Sequence, residues 1–335
     1  MEEFKSRCES IGDVVETHGP WSAMAVKLGP DRYTKPDQAD HRLRRIMQVA
    51  VDAVGKPLDQ CRVLDLACLE GHYAIEFALH GASAVGIELR EANIEKAAFA
   101  AKSLNLDNVK FYMDDVNNLS AERYGMFDII ICSGILYHLR STDACALIER
   151  MRTCCRGIVI LDTFISTHAD EIVDLNGRRI SGSGYVEHDA RATKEEKLAD
   201  LWASVEHNES FWLSEASLFN VMQDSGFSSC TEIMTPFHPG HSFDRRTYLA
   251  FCGKRVKILS SDATDIEKAP DVTDRNSSNI HPSQVRRPMF FKVAKRIIPQ
   301  KVKDAIKPSL RKMGLLNTSG IPDYLEQKTG GPKAK

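Results

Sequence analysis

Apolar and polar positions alternate between two periods through the middle of the chain. Residues 62–67 are a short apolar run with the look of a buried strand, and residues 71–79 follow with helical spacing. A second strand is predicted over 83–88, a helix over 91–104, and a third strand over 108–113. The fourth strand, 127–132, holds Ile129, Ile130 and Ile131 in succession, the pattern of a parallel strand covered on both faces. A helix over 143–151 and a fifth strand over 157–161 continue the rhythm. Ser214 is positioned as the N-cap of a helix ending at Ser225-Gly226, and residues 228–235 and 246–252 close the pattern as two more strands. The fold class predicted is α/β: a doubly wound, Rossmann-like, mostly parallel seven-stranded sheet with helices on both faces.

The flanks differ. Residues 20–36 have loop character around Trp21 and Tyr33. Leu43, Ile46, Met47, Ala50 and Val54 predict a helix over 40–54, which Gly55-Lys56-Pro57 ends. Residues 164–213 break the alternation. They are polar, contain Gly177, Gly182, Gly184, Trp202 and Trp212, and read as an insertion on the ligand side of the sheet. The organisation expected is an N-terminal helical or lid segment (1–55), a main domain (56–257), a disordered polar linker (258–284) and a basic amphipathic tail (285–335). Ten Lys and Arg residues stand in 285–316 against Asp304 alone. That tail has three readings: contact with an anionic membrane surface, contact with RNA phosphates, or a solvated appendage.

Composition narrows the classes. With 335 residues, 44 Lys+Arg and 46 Asp+Glu, the chain can bury a large core and is not as a whole a basic nucleic-acid binder. No apolar run reaches the ~18 residues of a membrane-spanning helix. The acidic start, Met1-Glu2-Glu3-Phe4-Lys5, lacks the apolar stretch of a signal peptide. Nine scattered cysteines without a CxxC pair read as reduced, mostly buried thiols and a cytoplasmic location, peripheral at the inner membrane surface if the tail binds lipid.

Chemistry concentrates at the predicted strand ends. Val63-Leu64-Asp65-Leu66-Ala67-Cys68-Leu69-Glu70-Gly71 is an apolar strand that ends in an acid, turns and opens a helix. In open α/β sheets ligands bind beyond the carboxyl ends of the strands. The second strand ends in Glu88, where a carboxylate can accept from both hydroxyls of a ribose. The third ends Met113-Asp114-Asp115-Val116, where a carboxylate can accept from an adenine amine, and the fourth runs into Ser133-Gly134-Ile135-Leu136-Tyr137-His138.

These motifs resemble the class I S-adenosylmethionine-dependent methyltransferases over about residues 40–253. Gly134-Ile135-Leu136-Tyr137-His138 is similar to the GxLYH motif of a branch that includes tRNA wobble-uridine carboxymethyltransferase-like enzymes. Trp21 and Leu28-Gly29-Pro30-Asp31-Arg32-Tyr33-Thr34 resemble that branch's N-terminal segment. The resemblance implies S-adenosyl-L-methionine as cofactor. Asp65, Ala67 and Gly71 would form the loop facing its methionine part, Glu88 would bind ribose, and Leu89 would lie beside adenine. Asp115 and Val116 would contact adenine, with Ser133 and Tyr137 near the sulfonium. Ala67 and Leu69 replace the first two glycines of the family's D-x-G-x-G-x-G pattern. Ala67 is accommodated with a negative φ, and Leu69 implies a less constrained loop.

Methyl transfer to an oxygen benefits from a general base, for which His138 is the candidate. His72 is read as structural. His238 and His241 lack companions at metal-ligand spacing, so no metal is expected. Arg245 and Arg246 begin a closing strand near the pocket, where one can meet an anionic substrate. The function read from these features is methyl transfer to an oxygen of a small molecule or saccharide. The alternatives are a tRNA wobble-uridine carboxymethyltransferase-like enzyme and a non-catalytic module retaining the fold.

Overall fold

Burial on two faces decides which segments pair as strands. The computed structural model describes residues 2–36, 41–233, 242–260 and 271–273. Its elements are α1 (Ile11–His18), β1 (Lys27–Gly29), β2 (Arg32–Tyr33), α2 (His41–Val54), β3 (Arg62–Leu66), α3 (His72–Leu79), β4 (Ser83–Glu88), α4 (Glu91–Ser103), β5 (Val109–Met113), α5 (Ala121–Tyr124), β6 (Phe127–Ser133), α6 (Ser141–Cys154) and β7 (Cys155–Phe164). They continue with β8 (Glu171–Leu175), β9 (Arg178–Val186), α7 (Lys194–Ala199), β10 (Glu209–Leu213), α8 (Glu215–Asp224), β11 (Ser229–Glu232) and β12 (Arg245–Phe251).

The central sheet has the order β11-β12-β7-β6-β3-β4-β5. Strands β3 to β7 are parallel, while β12 runs antiparallel between β7 and β11. This is the doubly wound sheet that the alternation predicts. The chain winds outward from β3 to β5, then returns through β6 to β7 on the other side. The crevice between the carboxyl ends of β3 and β6 is therefore the topological switch point, where such sheets bind ligands. The register brings the chemical ends level: Leu66 pairs with Ile87 and Cys132, and Ser133 with Asp162.

The isoleucine run of β6 divides between the faces. Ile129 and Ile131 pack with Ile46, Met47 and Ala50 of α2 and Phe77 of α3. Ile130 packs with Leu147, Ile148 and Met151 of α6 and Leu218 of α8. All three isoleucines are fully buried, each worth roughly 1.5–3 kcal/mol.

Three features depart from the sequence reading. Strand β7 extends to Phe164, beyond the predicted 161, and carries Asp162 to the ligand end. The 20–36 segment holds the small β1–β2 hairpin. The 164–213 insertion, for which no elements are predicted, holds β8, β9 and β10 as an antiparallel sheet of their own. Its polar composition hides it, because much of each strand faces solvent and only positions such as Ile180, Phe211 and Leu213 are buried. Gly182 belongs to the packing, since a Cβ there would lie 2.2 Å from the Trp212 carbonyl oxygen. Most of the expected linker and all of the basic tail lie outside the described residues. Among the described residues no helix is long and apolar enough to cross a membrane.

Candidate functional site

The turn after β3 keeps a glycine-like course without glycines. Ala67 and Leu69 have φ values of 51° and 48°, and Gly71 has 80°. The negative φ expected for Ala67 is thus corrected. Two side chains sit in the left-handed region, at a cost of roughly 1–2 kcal/mol each. Two bonds to the β4 strand hold the turn: Cys68 N–H donates to the Ile87 carbonyl at 3.0 Å, and Leu69 N–H donates to Glu88 Oε2 at 2.9 Å.

Glu88 is held from both sides. Its Oε1 accepts from Arg90 N–H at 2.9 Å, so each oxygen has one backbone partner and keeps a lone pair for a ligand. Burial raises its pKa, and the two N–H bonds with the Arg90 charge offset part of that rise. Asp65 lies below the turn. It accepts from Ala74 N–H at 3.1 Å, and burial pushes its carboxyl up to about 8.

Glu70 anchors the N-terminal segment over the turn. Its carboxylate accepts from Ser22 N–H (2.7 Å) and Ala23 N–H (3.0 Å) and pairs with buried Lys96 at 3.4 Å. His72 Nε2 bonds the Met24 carbonyl at 2.5 Å, the structural role expected of it. Ala23 and Met24 thereby wall one side of a cavity of about 320 Å³.

That cavity gathers most of the predicted residues. Ala67, Glu88, Leu89, Asp115, Val116, Ser133, Tyr137 and His138 all line it. Asp65 and Gly71 do not. Gly71 is required by packing, since a Cβ there would lie 2.7 Å from Ala97 Cβ and 2.9 Å from the Phe111 ring. Asp115 caps the turn that follows it, accepting from Asn117 N–H at 2.7 Å. Its neighbour Asp114 also lines the cavity and bonds Tyr124 Oη, Asn118 and Arg123. Burial raises the Asp114 pKa, but these donors outweigh it and hold the group below the usual carboxylate range.

The insertion supplies the opposite wall. Residues 201–207 line the cavity, and Arg90 suspends them. Its guanidinium donates to the carbonyls of Asp200 (2.6 Å), Ala203 (2.8 Å), Leu198 (3.3 Å) and Lys197 (3.4 Å).

His138 follows β6. Its Nδ1 lies 3.0 Å from both oxygens of Glu187, which also accepts from Ser210 Oγ at 2.6 Å and Ser204 N–H at 3.1 Å. Burial raises the Glu187 pKa, yet His138, Ser210 and Ser204 together lower it below its ordinary value. An ionised Glu187 only accepts, so Nδ1 carries the proton and Nε2 is the basic nitrogen.

Beyond Tyr137, three guanidinium groups converge on Asp162. Arg245 Nε donates to it at 2.7 Å, while Arg45 and Arg42 lie at 3.5 and 3.8 Å. Thr247 Oγ1 adds a bond at 2.6 Å. Arg42 and Arg245 line the cavity. Arg246 instead pairs with Glu215 at 2.7 Å. His238 and His241 lie outside the described residues.

Residues 57–204 match a family model described as a methyltransferase domain. Over that stretch, less than half of the chain, it is similar to a methyltransferase domain. Curated relatives include the ubiquinone biosynthesis O-methyltransferases of Acinetobacter baumannii strain AYE, 27% identical over 92 residues, and of Psychrobacter cryohalolentis, 32% identical over 89. These matches cover 28% and 26% of this chain and 38% and 34% of those proteins, so the likeness spans little more than a third of their length. Among solved structures, the N-terminal domain of EvdMO1 with SAH and D-fucose is 23% identical, covers 64% of this chain and 84% of that one, and has a TM-score of 0.49. An S-adenosylmethionine-dependent methyltransferase from Clostridium acetobutylicum is 16% identical, covers 65% and 94%, and has a TM-score of 0.44.

The residues lining the cavity fit S-adenosylmethionine. Glu88 offers two oriented acceptors for a ribose diol, Asp115 an acceptor for an amine, and Leu89 and Val116 apolar flanks. Several residues at the site escaped the sequence reading, among them Arg42, Arg90, Asp162 and Glu187. Asp162 carries the same signal as Glu88, an acid at the end of an apolar strand, which a longer β7 prediction would have exposed. Glu187 has no local signal, because only the β9–β10 pairing brings its segment to His138.

Proposed function

We propose that this chain is an S-adenosylmethionine-dependent methyltransferase acting on an oxygen of a small molecule or saccharide. One observation carries the reading: a single cavity is lined by Glu88, poised for a ribose, and by His138, whose second nitrogen is oriented by Glu187. Bound there, S-adenosylmethionine would supply an electrophilic methyl carbon, with the sulfur leaving as the neutral thioether of S-adenosylhomocysteine.

The chain's own residues do the rest. Glu88 fixes the ribose and Asp115 the adenine edge. The 201–207 wall, suspended from Arg90, and the 23–24 wall, pinned by Glu70, enclose the reacting centre and exclude water. His138 Nε2 takes the hydroxyl proton as the acceptor oxygen attacks. The imidazolium formed is stabilised by Glu187, and its proton passes to water after transfer.

Calorimetry on the full chain with S-adenosylmethionine, S-adenosylhomocysteine and the carboxylated cofactor analogue tests the reading. Micromolar binding of the ordinary cofactor is expected, followed by methyl transfer to members of a phenol and sugar panel. No binding at millimolar concentration would sink it, and a strong preference for the carboxylated analogue would turn it to the wobble-uridine alternative.

A further inference from the structure

We propose that Arg42 and Arg245 bind an anionic group of the acceptor, so that the substrate is a hydroxyl compound bearing a carboxylate or a phosphate ester. This rests on the methyltransferase reading and names its substrate class.

The charged lining of the cavity is segregated. Glu88, Asp114, Asp115 and Glu206 line the side beyond β4 and β5. Arg90 is on that side too, but its guanidinium is committed to the carbonyls of residues 197–203. Arg42 and Arg245 line the other side, on α2 and β12, beyond β6 and β7 in the sheet order. With the adenosine on the acidic side, the acceptor meets the arginines.

The arginines are preorganised. Asp162 is 1% exposed and fixes Arg245 through a 2.7 Å bond, with Arg42 at 3.8 Å. Arg245 also lies over the rings of Tyr137 and Phe164, 5.6 and 5.2 Å from their centroids, and donates to Tyr137 Oη at 3.4 Å. A planar guanidinium held by a carboxylate and two rings presents its remaining N–H groups in a fixed fork, which suits a carboxylate or phosphate. A sulfonium would bring one more positive charge into this part of the cavity. An anion on the acceptor balances that charge and gives the two guanidinium groups a partner beside Asp162. The side chains of Arg245 and Arg42 are 15% and 35% exposed, so the pair is reachable from the cavity yet sheltered.

The experiment is calorimetric titration of the S-adenosylhomocysteine-saturated full chain with matched probes. These are 4-hydroxybenzoate against 4-hydroxybenzamide, and glucose 6-phosphate against glucose. At least one anion is expected to bind about tenfold or more tighter than its neutral partner, as a charge-assisted contact implies. In Arg42→Gln that preference should fall below about threefold while S-adenosylhomocysteine binding changes by less than that factor. Arg245→Lys, which keeps the charge but loses the fork, should weaken the anion selectively. The inference is overturned if neither anion is preferred, if none of the four probes binds, or if the preference survives both substitutions. It is also overturned if the carboxylated cofactor analogue binds far more tightly than S-adenosylmethionine through Arg42, which would put the anion on the cofactor. Wild-type chain that does not bind S-adenosylhomocysteine at all defeats the methyltransferase reading itself; binding without anion preference defeats only this inference.

Discussion

The two sides of the cavity are built differently. The side beyond β4 and β5 is made by strand ends: Glu88, Leu89, Asp115 and Val116 follow their strands directly, and their neighbours in sequence fix their geometry. The side beyond β6, β7 and β12 is made by assembly. Arg42 comes from α2, Arg245 from β12, Glu187 from the end of the inserted sheet and His138 from the turn after β6, and all depend on contacts between distant segments. A nucleotide-like ligand needs the same few acceptors wherever it binds. An acceptor's shape and charge are particular, and the elements that meet it are those free to vary around the shared sheet.

The contrast can be broken at its strongest point on either side. His138→Ala is expected to lower methyl transfer by about 10²–10⁴-fold in steady-state assays while leaving S-adenosylhomocysteine affinity nearly unchanged. Glu88→Ala should do the reverse, weakening S-adenosylhomocysteine by about 100-fold in calorimetry, since two hydrogen bonds to a charged group are lost. If each variant damages both properties equally, the sides are not separable.

Smaller effects sharpen the division. Glu187→Gln keeps the size but removes the charge facing Nδ1. The expected loss in turnover is about tenfold, with a pH–rate profile moved in its His138 limb and binding unaltered. A profile identical to wild type would show that Glu187 only packs. Asp65→Asn reports on the buried end of β3. The folded chain holds the Asp65 proton up to about pH 8, against an ordinary carboxylate value of 3.8. The folded form therefore binds this proton more tightly than the unfolded form, and stability falls as pH rises from the lower value toward the higher. The melting temperature of Asp65→Asn should gain on wild type by a few degrees between pH 5 and 8; a constant gap would exclude this titration.

Legibility in the sequence follows the same division. The apolar runs of β3, β4 and β6 are readable because parallel strands buried on both faces admit almost nothing polar, and an acid at the end of such a run stands out. That is how Glu88 and Asp115 could be found beside Ser133 and Tyr137. Asp65 belongs to such a run as well, but its carboxylate is buried beneath the loop, accepts from Ala74 N–H and does not line the cavity. The rule fell short at Asp162, because Thr163 and Phe164 continue a strand that the polar residue seemed to end. In the loop, Ala67 and Leu69 disguise the glycine pattern, since the bonds of Cys68 and Leu69 to β4 impose the left-handed turn that glycine would adopt freely. The β8–β10 sheet has no continuous apolar signature, and the pairing of His138 with Glu187 spans 49 residues of sequence.

Strand β12 bears on where this molecule can be cut. It sits inside the sheet, between β7 and β11, although it comes last among the described elements. A fragment ending at residue 204 would leave β7 as a bare edge, with the backbone groups that bond to Arg245–Phe251 open to any other strand. A fragment starting at 57 would remove Ser22 and Ala23 from Glu70 and Arg42 and Arg45 of α2 from Asp162, stranding carboxylates the fold keeps covered. The 57–204 stretch therefore leaves outside it pairings that its own strand and carboxylates use. The flanks that cover these groups also supply Arg42 and Arg245 to the cavity, so a substitution there bears on the fold and on the cavity at once.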